Sequence, residues 1–196
     1  MRDFEELKYF LEPHFGLKIG WELIEYAVIE HRQLSKKERS NFKKELLYMK
    51  QLLEQNQYEK IQQIIKKNNL ENTKLYNIDK IRKFIDRVLP IIEKYEYKKG
   101  IPYVPFKALN YLFDTIITPP KTKLSFDFIA IDIKREGDTF IHHILQDLNY
   151  VEKAFMEKDE AKIQKLLQLS REKGITIFES QHRDEFIQVV TNELSY

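Results

Sequence analysis

Leu46–Ile65, LLYMKQLLEQNQYEKIQQII, is followed 102 positions later by Leu148–Leu167, LNYVEKAFMEKDEAKIQKLL. The tyrosines Tyr48 and Tyr150 coincide, and Lys60-Ile61-Gln62 falls on Lys162-Ile163-Gln164. Each copy has apolar residues at helical spacing, a short polar break, and a second helical stretch. The same offset extends to both termini without a gap. Phe4, Leu7 and Tyr9 meet Phe106, Leu109 and Tyr111; Glu25-Tyr26 meets Asp127-Phe128; Glu45-Leu46 meets Asp147-Leu148; Phe84, Ile85 and Val88 meet Phe186, Ile187 and Val190. From Phe4 to Lys94 there are 12 identities in 91 pairs. Two helices in phase match apolar to apolar by necessity, so the matched charge signs and aligned breaks carry more weight. They predict a tandem repeat of one helical unit, residues 1–99 and 100–196, packed together as one compact body.

The composition fits. Five glycines and six prolines punctuate 196 residues, and the absence of cysteine excludes disulfides, thiolate nucleophiles and sulfur-ligated zinc. The expected class is all-α. No apolar run is long enough for a bilayer and the N-terminus lacks a signal-peptide pattern, so a cytoplasmic protein is expected.

Local signals place the elements. Asp3 caps a helix through Glu12 that Pro13 and Gly16 end; a second runs from about Trp21 to Gln33. Ser35 and Glu38 form a capping box opening a long helix, and Asn56 with Glu59 repeats the pattern for the next. Asp79–Leu89 is helical, with a kink or restart at Pro90. Lys98-Lys99-Gly100-Ile101-Pro102 is the candidate linker. Pro105 suits a first helical position, and the helix Phe106–Ile117 is apolar on nearly every side. Residues 124–134 read as strand or helix; their counterpart, Leu23–Arg32, tips the balance to helix. Asp138 or Thr139 caps the next helix, Asp159 the one after, and Gly174 ends it. A last helix runs from about Gln181. Leu75-Tyr76 and Ile177-Phe178 read as extended and could pair as a minimal two-stranded sheet.

Charge is uneven: 17 basic against 9 acidic side chains in residues 35–104, with net −3 in each flank. A basic middle is one mark of a nucleic-acid-binding helical module. Tyr95, Tyr97 and Tyr103 flank Lys98-Lys99, and aromatic plus basic residues suit a partner-binding surface; the alternative is that these rings pack one unit against the other.

Arg135 and His142 have a spacing that resembles the arginine–histidine motif of HEPN-type ribonucleases, helical proteins without a metal. There the arginine binds phosphate and the histidine assists attack by the ribose hydroxyl. Here Glu136 follows the arginine and Gly137 interrupts the helix. His142-His143 with Asp138 and Asp147, and Glu179 with His182, supply metal-compatible types, but a di-metal bundle needs two such pairs and two more carboxylates. No phosphate loop or hydrolase motif is present. No metal, no cofactor and no catalytic residue are therefore expected.

Residues 4–69 resemble the immunity proteins of contact-dependent growth inhibition systems. The resemblance lies in Phe4-Glu5-Glu6-Leu7-Lys8-Tyr9-Phe10-Leu11, His14-Phe15, the acidic and aliphatic helix at Trp21–His31, Ser35-Lys36-Lys37-Glu38-Arg39, and the paired helices ending at Lys67. Leu17-Lys18-Ile19-Gly20-Trp21 stands where the family commonly has Asp-Trp. The resemblance implies a cytoplasmic antitoxin-like protein that neutralises a cognate toxin domain, often a nuclease, by stoichiometric binding and without catalysis.

Overall fold

The computed structural model describes residues 4–15, 23–70, 77–117, 125–179 and 181–195. The described residues form ten α-helices and a 3₁₀ turn, with no strand among them: α1 Glu5–Phe15, α2 Ile24–His31, α3 Lys36–Glu54, α4 Tyr58–Lys67, α5 Ile78–Tyr95, α6 Lys107–Thr115, α7 Phe126–Glu136, α8 Asp138–Met156, α9 Glu160–Glu172, the turn Ile177–Glu179, and α10 Arg183–Ser195. The protein is all-α. No described helix is long and apolar enough to cross a membrane. The chain divides into two compact units, Met1–Lys94 and Tyr95–Tyr196, at the end of α5 and not after Lys99.

The first unit is built on α3. Phe42, Leu46, Met49 and Leu53 recur at helical spacing and are buried. Phe10 of α1 stacks on Phe42 at 4.7 Å between centroids and meets Phe84 of α5 at 6.0 Å, and His31 lies against both Phe10 and Phe42. The second unit is built on α8 in the same way, through Ile144, Leu148 and Val151. Phe186 of α10 contacts Phe126 of α7 and Phe178 of the 3₁₀ turn, edge to face at 5.3 and 5.7 Å.

Four helices of the second unit begin 102 residues after one in the first: α6 after α1, α7 after α2, α8 after α3, and α9 after α4. The chain reversals also fall at that offset. Asn56 and Lys158 take left-handed backbone at φ 55° and 54°. Gln57 N–H donates to the Leu52 carbonyl and Asp159 N–H to that of Ala154, both at 2.9 Å. This is the Schellman closure, which satisfies carbonyls left open at a helix end.

Local capping explains two helix starts. Ser35 and Glu38 make both bonds of the capping box, and the Ser35 hydroxyl and N–H hold the Glu38 carboxyl below its usual range. Asp159 accepts from Lys162 N–H at 3.1 Å.

Several expectations are corrected. Ile177-Phe178 is not a strand: both side chains are buried, and the backbone turns as 3₁₀ to plug the core. Its expected partner, Leu75-Tyr76, and the Asp3 cap lie outside the described residues. Pro13 sits inside α1, which runs on to Phe15, and α5 runs through Pro90 to Tyr95 without restarting. Asn56 is the left-handed residue ending α3, not a cap; Gln57 precedes α4 and makes no side-chain cap. Pro105 lies in a turn before α6, and it is Phe106, at φ 64°, that enters the helix. That helix is buried on one face only, with Tyr111, Asp114 and Thr115 exposed. Gly137, not Asp138 or Thr139, occupies the cap position of α8. Residues 126–136 are helical, as their counterpart suggested.

Candidate functional site

Two buried carboxylates organise the units from inside. Glu45 of α3 is only 7% exposed, and its Oε2 accepts the Leu7 N–H at 2.7 Å. Asp147 of α8 is fully buried; Oδ1 accepts from the Tyr103 hydroxyl at 2.7 Å and Phe106 N–H at 2.8 Å, and Oδ2 from Leu109 N–H at 3.0 Å. Glu6 N–H adds to Glu45 and Ala108 N–H to Asp147. Each acid therefore satisfies the orphan N–H groups at the start of α1 or α6, where the helix dipole also favours negative charge. Burial pushes the Glu45 carboxyl up to about 7, against the pull of the Leu7 and Glu6 N–H groups; the Glu6 and Glu5 carboxylates push the same way. Burial also raises Asp147, against its four donors, and raises the Tyr103 hydroxyl.

This gives Glu45 a pH dependence of definite sign. Unfolded, the carboxyl titrates near the ordinary value of 4.5; folded, it holds its proton to about 7. Between those values the folded state binds more protons, so stability is greatest below about pH 4.5 for this group and falls as pH rises through 7. Urea melts at pH 5 and pH 8 should show this loss, a few kcal/mol at most, since a proton held across one pH unit is worth about 1.4 kcal/mol. Glu45→Gln should flatten the part that arises in the first unit; an unchanged slope would refute it.

The predicted partner-binding residues 95–103 lie along the first turns of α8. The Tyr97 ring meets His142 edge to face at 5.0 Å, Lys98 N–H donates to the Thr139 hydroxyl at 2.9 Å, and the Tyr103 ring lies 6.0 Å from His143. Tyr97, Lys98 and Lys99 are exposed, while Tyr95 and Tyr103 are half-buried and the Tyr103 hydroxyl is committed inward to Asp147. The rings of Tyr97 and Tyr103 thus pack on their own unit. Gly137 fixes the other side of this contact. Its backbone, at φ 110° and ψ 164°, is one that only glycine adopts readily, and an added Cβ would stand 3.1 Å from the Tyr95 carbonyl oxygen. Gly137→Ala is expected to destabilise the second unit by about 2–3 kcal/mol in urea melts; a change under about 0.5 kcal/mol would mean that the α7–α8 joint relaxes freely.

Arg135 and His142 fall on different helices, α7 and α8, with Gly137 between them. Arg135 pairs with Asp132 at 2.9 Å, and His142 rests against Tyr97. His182 pairs with Glu185 at 3.2 Å and Glu179 with Arg171. Among the described residues no three His, Asp or Glu side chains are grouped to hold a metal. His31 is buried between two phenylalanines, and the side chain of His14 lies outside the described residues.

No family model, curated protein or solved structure matches the chain. The surface must therefore speak through its own chemistry. The α3–α4 hairpin presents seven exposed lysines, Lys36, Lys37, Lys44, Lys50, Lys60, Lys66 and Lys67, against two exposed carboxylates, Glu54 and Glu59. Exposed aromatic rings stand on α1, α2, α6 and α7, where Tyr9 is 58% exposed, Tyr26 62%, Tyr111 42% and Phe128 58%, and one, Tyr58 at 39%, stands on α4. Sequence reasoning paired the first four of these rings at the 102-residue offset without placing them at the surface. The signal was present, since Tyr9 is out of phase with the buried positions Phe4, Leu7, Phe10 and Leu11.

Proposed function

We propose that the chain is a tandem repeat of one helical unit and acts as an antitoxin-like binding protein, neutralising a cognate toxin domain by stoichiometric complex formation. The observation that carries the reading is the exposure of the Tyr9, Tyr26, Tyr111 and Phe128 rings on helices that also bury Phe10, Ala27, Leu112 and Ile129. Aromatic rings at a surface are the residues most able to anchor a protein interface. The displaced ionisations have an internal use: Glu45 and Asp147 each close a helix start, and the Tyr103 hydroxyl donates to Asp147. The resemblance of residues 4–69 to immunity proteins supplies the kind of partner. Support for the repeat comes from the element starts, chain reversals and buried acids that recur 102 residues apart. The test is co-expression with the product of the adjacent gene. Rescue of growth and co-purification of the pair are expected; a neighbour that is neither toxic nor bound refutes the reading.

The lysine face of α3–α4 favours a second reading, a nucleic-acid-binding module. It requires affinity for a single-stranded oligonucleotide that falls steeply between about 50 and 200 mM salt. No binding at the lower salt would exclude it.

A further inference from the structure

A groove of about 380 Å³ runs along the second unit between residues 104–107 and one edge of α9. Both walls are fixed from behind. Tyr103 and Phe106 bond to Asp147, the Phe106 ring stands edge-on to Tyr150 at 5.2 Å, and Lys107 N–H closes the turn onto the Val104 carbonyl at 3.1 Å. On α9, Leu166 and Ser170 are buried, while Lys165, Leu169 and Glu172, spaced by four and three, line the groove. Walls held in this way need little ordering when something enters between them. The volume is that of a small-ligand site, but the groove is an open trough, so a continuing chain can enter and leave it.

The lining decides what fits. Val104, Pro105 and Leu169 make the walls apolar, yet Val104 is 48% exposed and Leu169 only half-buried. Two ammonium groups, those of Lys107 and Lys165, border them. Lys165 lies over the Phe106 ring at 5.7 Å, and neither lysine has a carboxylate partner among the described residues. Their neighbours do: Lys162 pairs with Asp159 at 2.7 Å and Lys173 with Asp114 at 2.5 Å. The one acid lining the groove, Glu172, takes the Gln168 amide at 2.9 Å and stands two helical turns from Lys165, about 10 Å away along the axis. An entering carboxylate is therefore drawn to the lysines, and an apolar side chain next to it to Val104 and Leu169. Nucleic acid fits this lining less well, because the Phe106 ring is buried and covered by Lys165, which leaves no face for a base to stack on.

We propose that this groove receives a peptide segment of another protein that carries an acidic residue beside an aliphatic one. The proposal goes beyond the toxin-neutralising reading and does not depend on it, since the groove lies outside residues 4–69 and its test involves no toxin. The full chain is titrated against a short fluorescent peptide of alternating aspartate and leucine, and anisotropy is read. Binding is expected, with at least about 10-fold weaker binding when lysine replaces aspartate or serine replaces leucine in the peptide. The double variant Lys107→Glu with Lys165→Glu should invert the preference towards the lysine–leucine peptide. Val104→Ser should weaken the aspartate–leucine peptide about 10-fold, and Lys60→Glu, on the first unit, should leave it unchanged. All four positions are exposed, so helical circular dichroism should match the parent. Absence of binding, equal binding of the lysine–leucine peptide, an unaltered preference in the double variant, or displacement of the peptide by a single-stranded oligonucleotide overturns the proposal.

Discussion

Asp147→Ala is expected to cost the second unit about 3–5 kcal/mol. The side chain has no contact with solvent and gathers the Tyr103 hydroxyl and the N–H groups of Phe106, Ala108 and Leu109. Truncation leaves those donors buried without an acceptor, each at about 1–3 kcal/mol where water cannot reach. Asp147→Asn keeps one acceptor but turns an amide N–H₂ towards N–H groups, so it should cost about half as much. Tyr103→Phe removes one hydrogen bond and should cost only about 1–1.5 kcal/mol. Urea denaturation of the three variants checks the ranking. An alanine variant within about 1 kcal/mol of the parent would show that water takes over the carboxylate's place.

Phe186→Ala is expected to cost a similar amount, about 3–5 kcal/mol, by a different mechanism. The ring is fully buried and edge-on to Phe126 and Phe178. Its removal forfeits the transfer energy of the ring and leaves a cavity among helices that close only in part. Phe186→Leu refills most of that volume and should recover more than half of the loss. Equal losses for leucine and alanine would mean that ring geometry, not volume, holds α10 to α7.

What could be read from the residues was what depends on near neighbours. The Ser35–Glu38 box, the Asp159 cap and the Gly174 stop each need three or four residues, and all three stand in the structure. The helix at residues 126–136 was ambiguous alone and was settled by comparison with its counterpart. Where tertiary packing overrode local preference, the reading failed. Ile177 and Phe178 have β propensity but are drawn into a 3₁₀ turn by burial. Proline was over-weighted as a stop at position 13, and α5 does not restart at Pro90. The buried acids were paired in sequence yet not seen as buried, because an acid on an amphipathic helix is ordinarily at the surface. Their position gave them away: Glu45 shares the stripe of Phe42, Leu46 and Met49, and Asp147 that of Ile144, Leu148 and Val151. The surface rings escaped for the opposite reason, since an aromatic residue is read as core by default.

The ordered run from Tyr95 to Phe106 bears on how the chain can be cut. A fragment begun at Gly100, where glycine and proline invite a scissor, would discard the Tyr97 ring from His142 and the Lys98 amide from Thr139. One begun at Lys107 would also strip Tyr103 and Phe106 from Asp147 and leave that acid short of two donors. A self-standing C-terminal piece therefore has to start at or before Tyr95, within the last turn of α5.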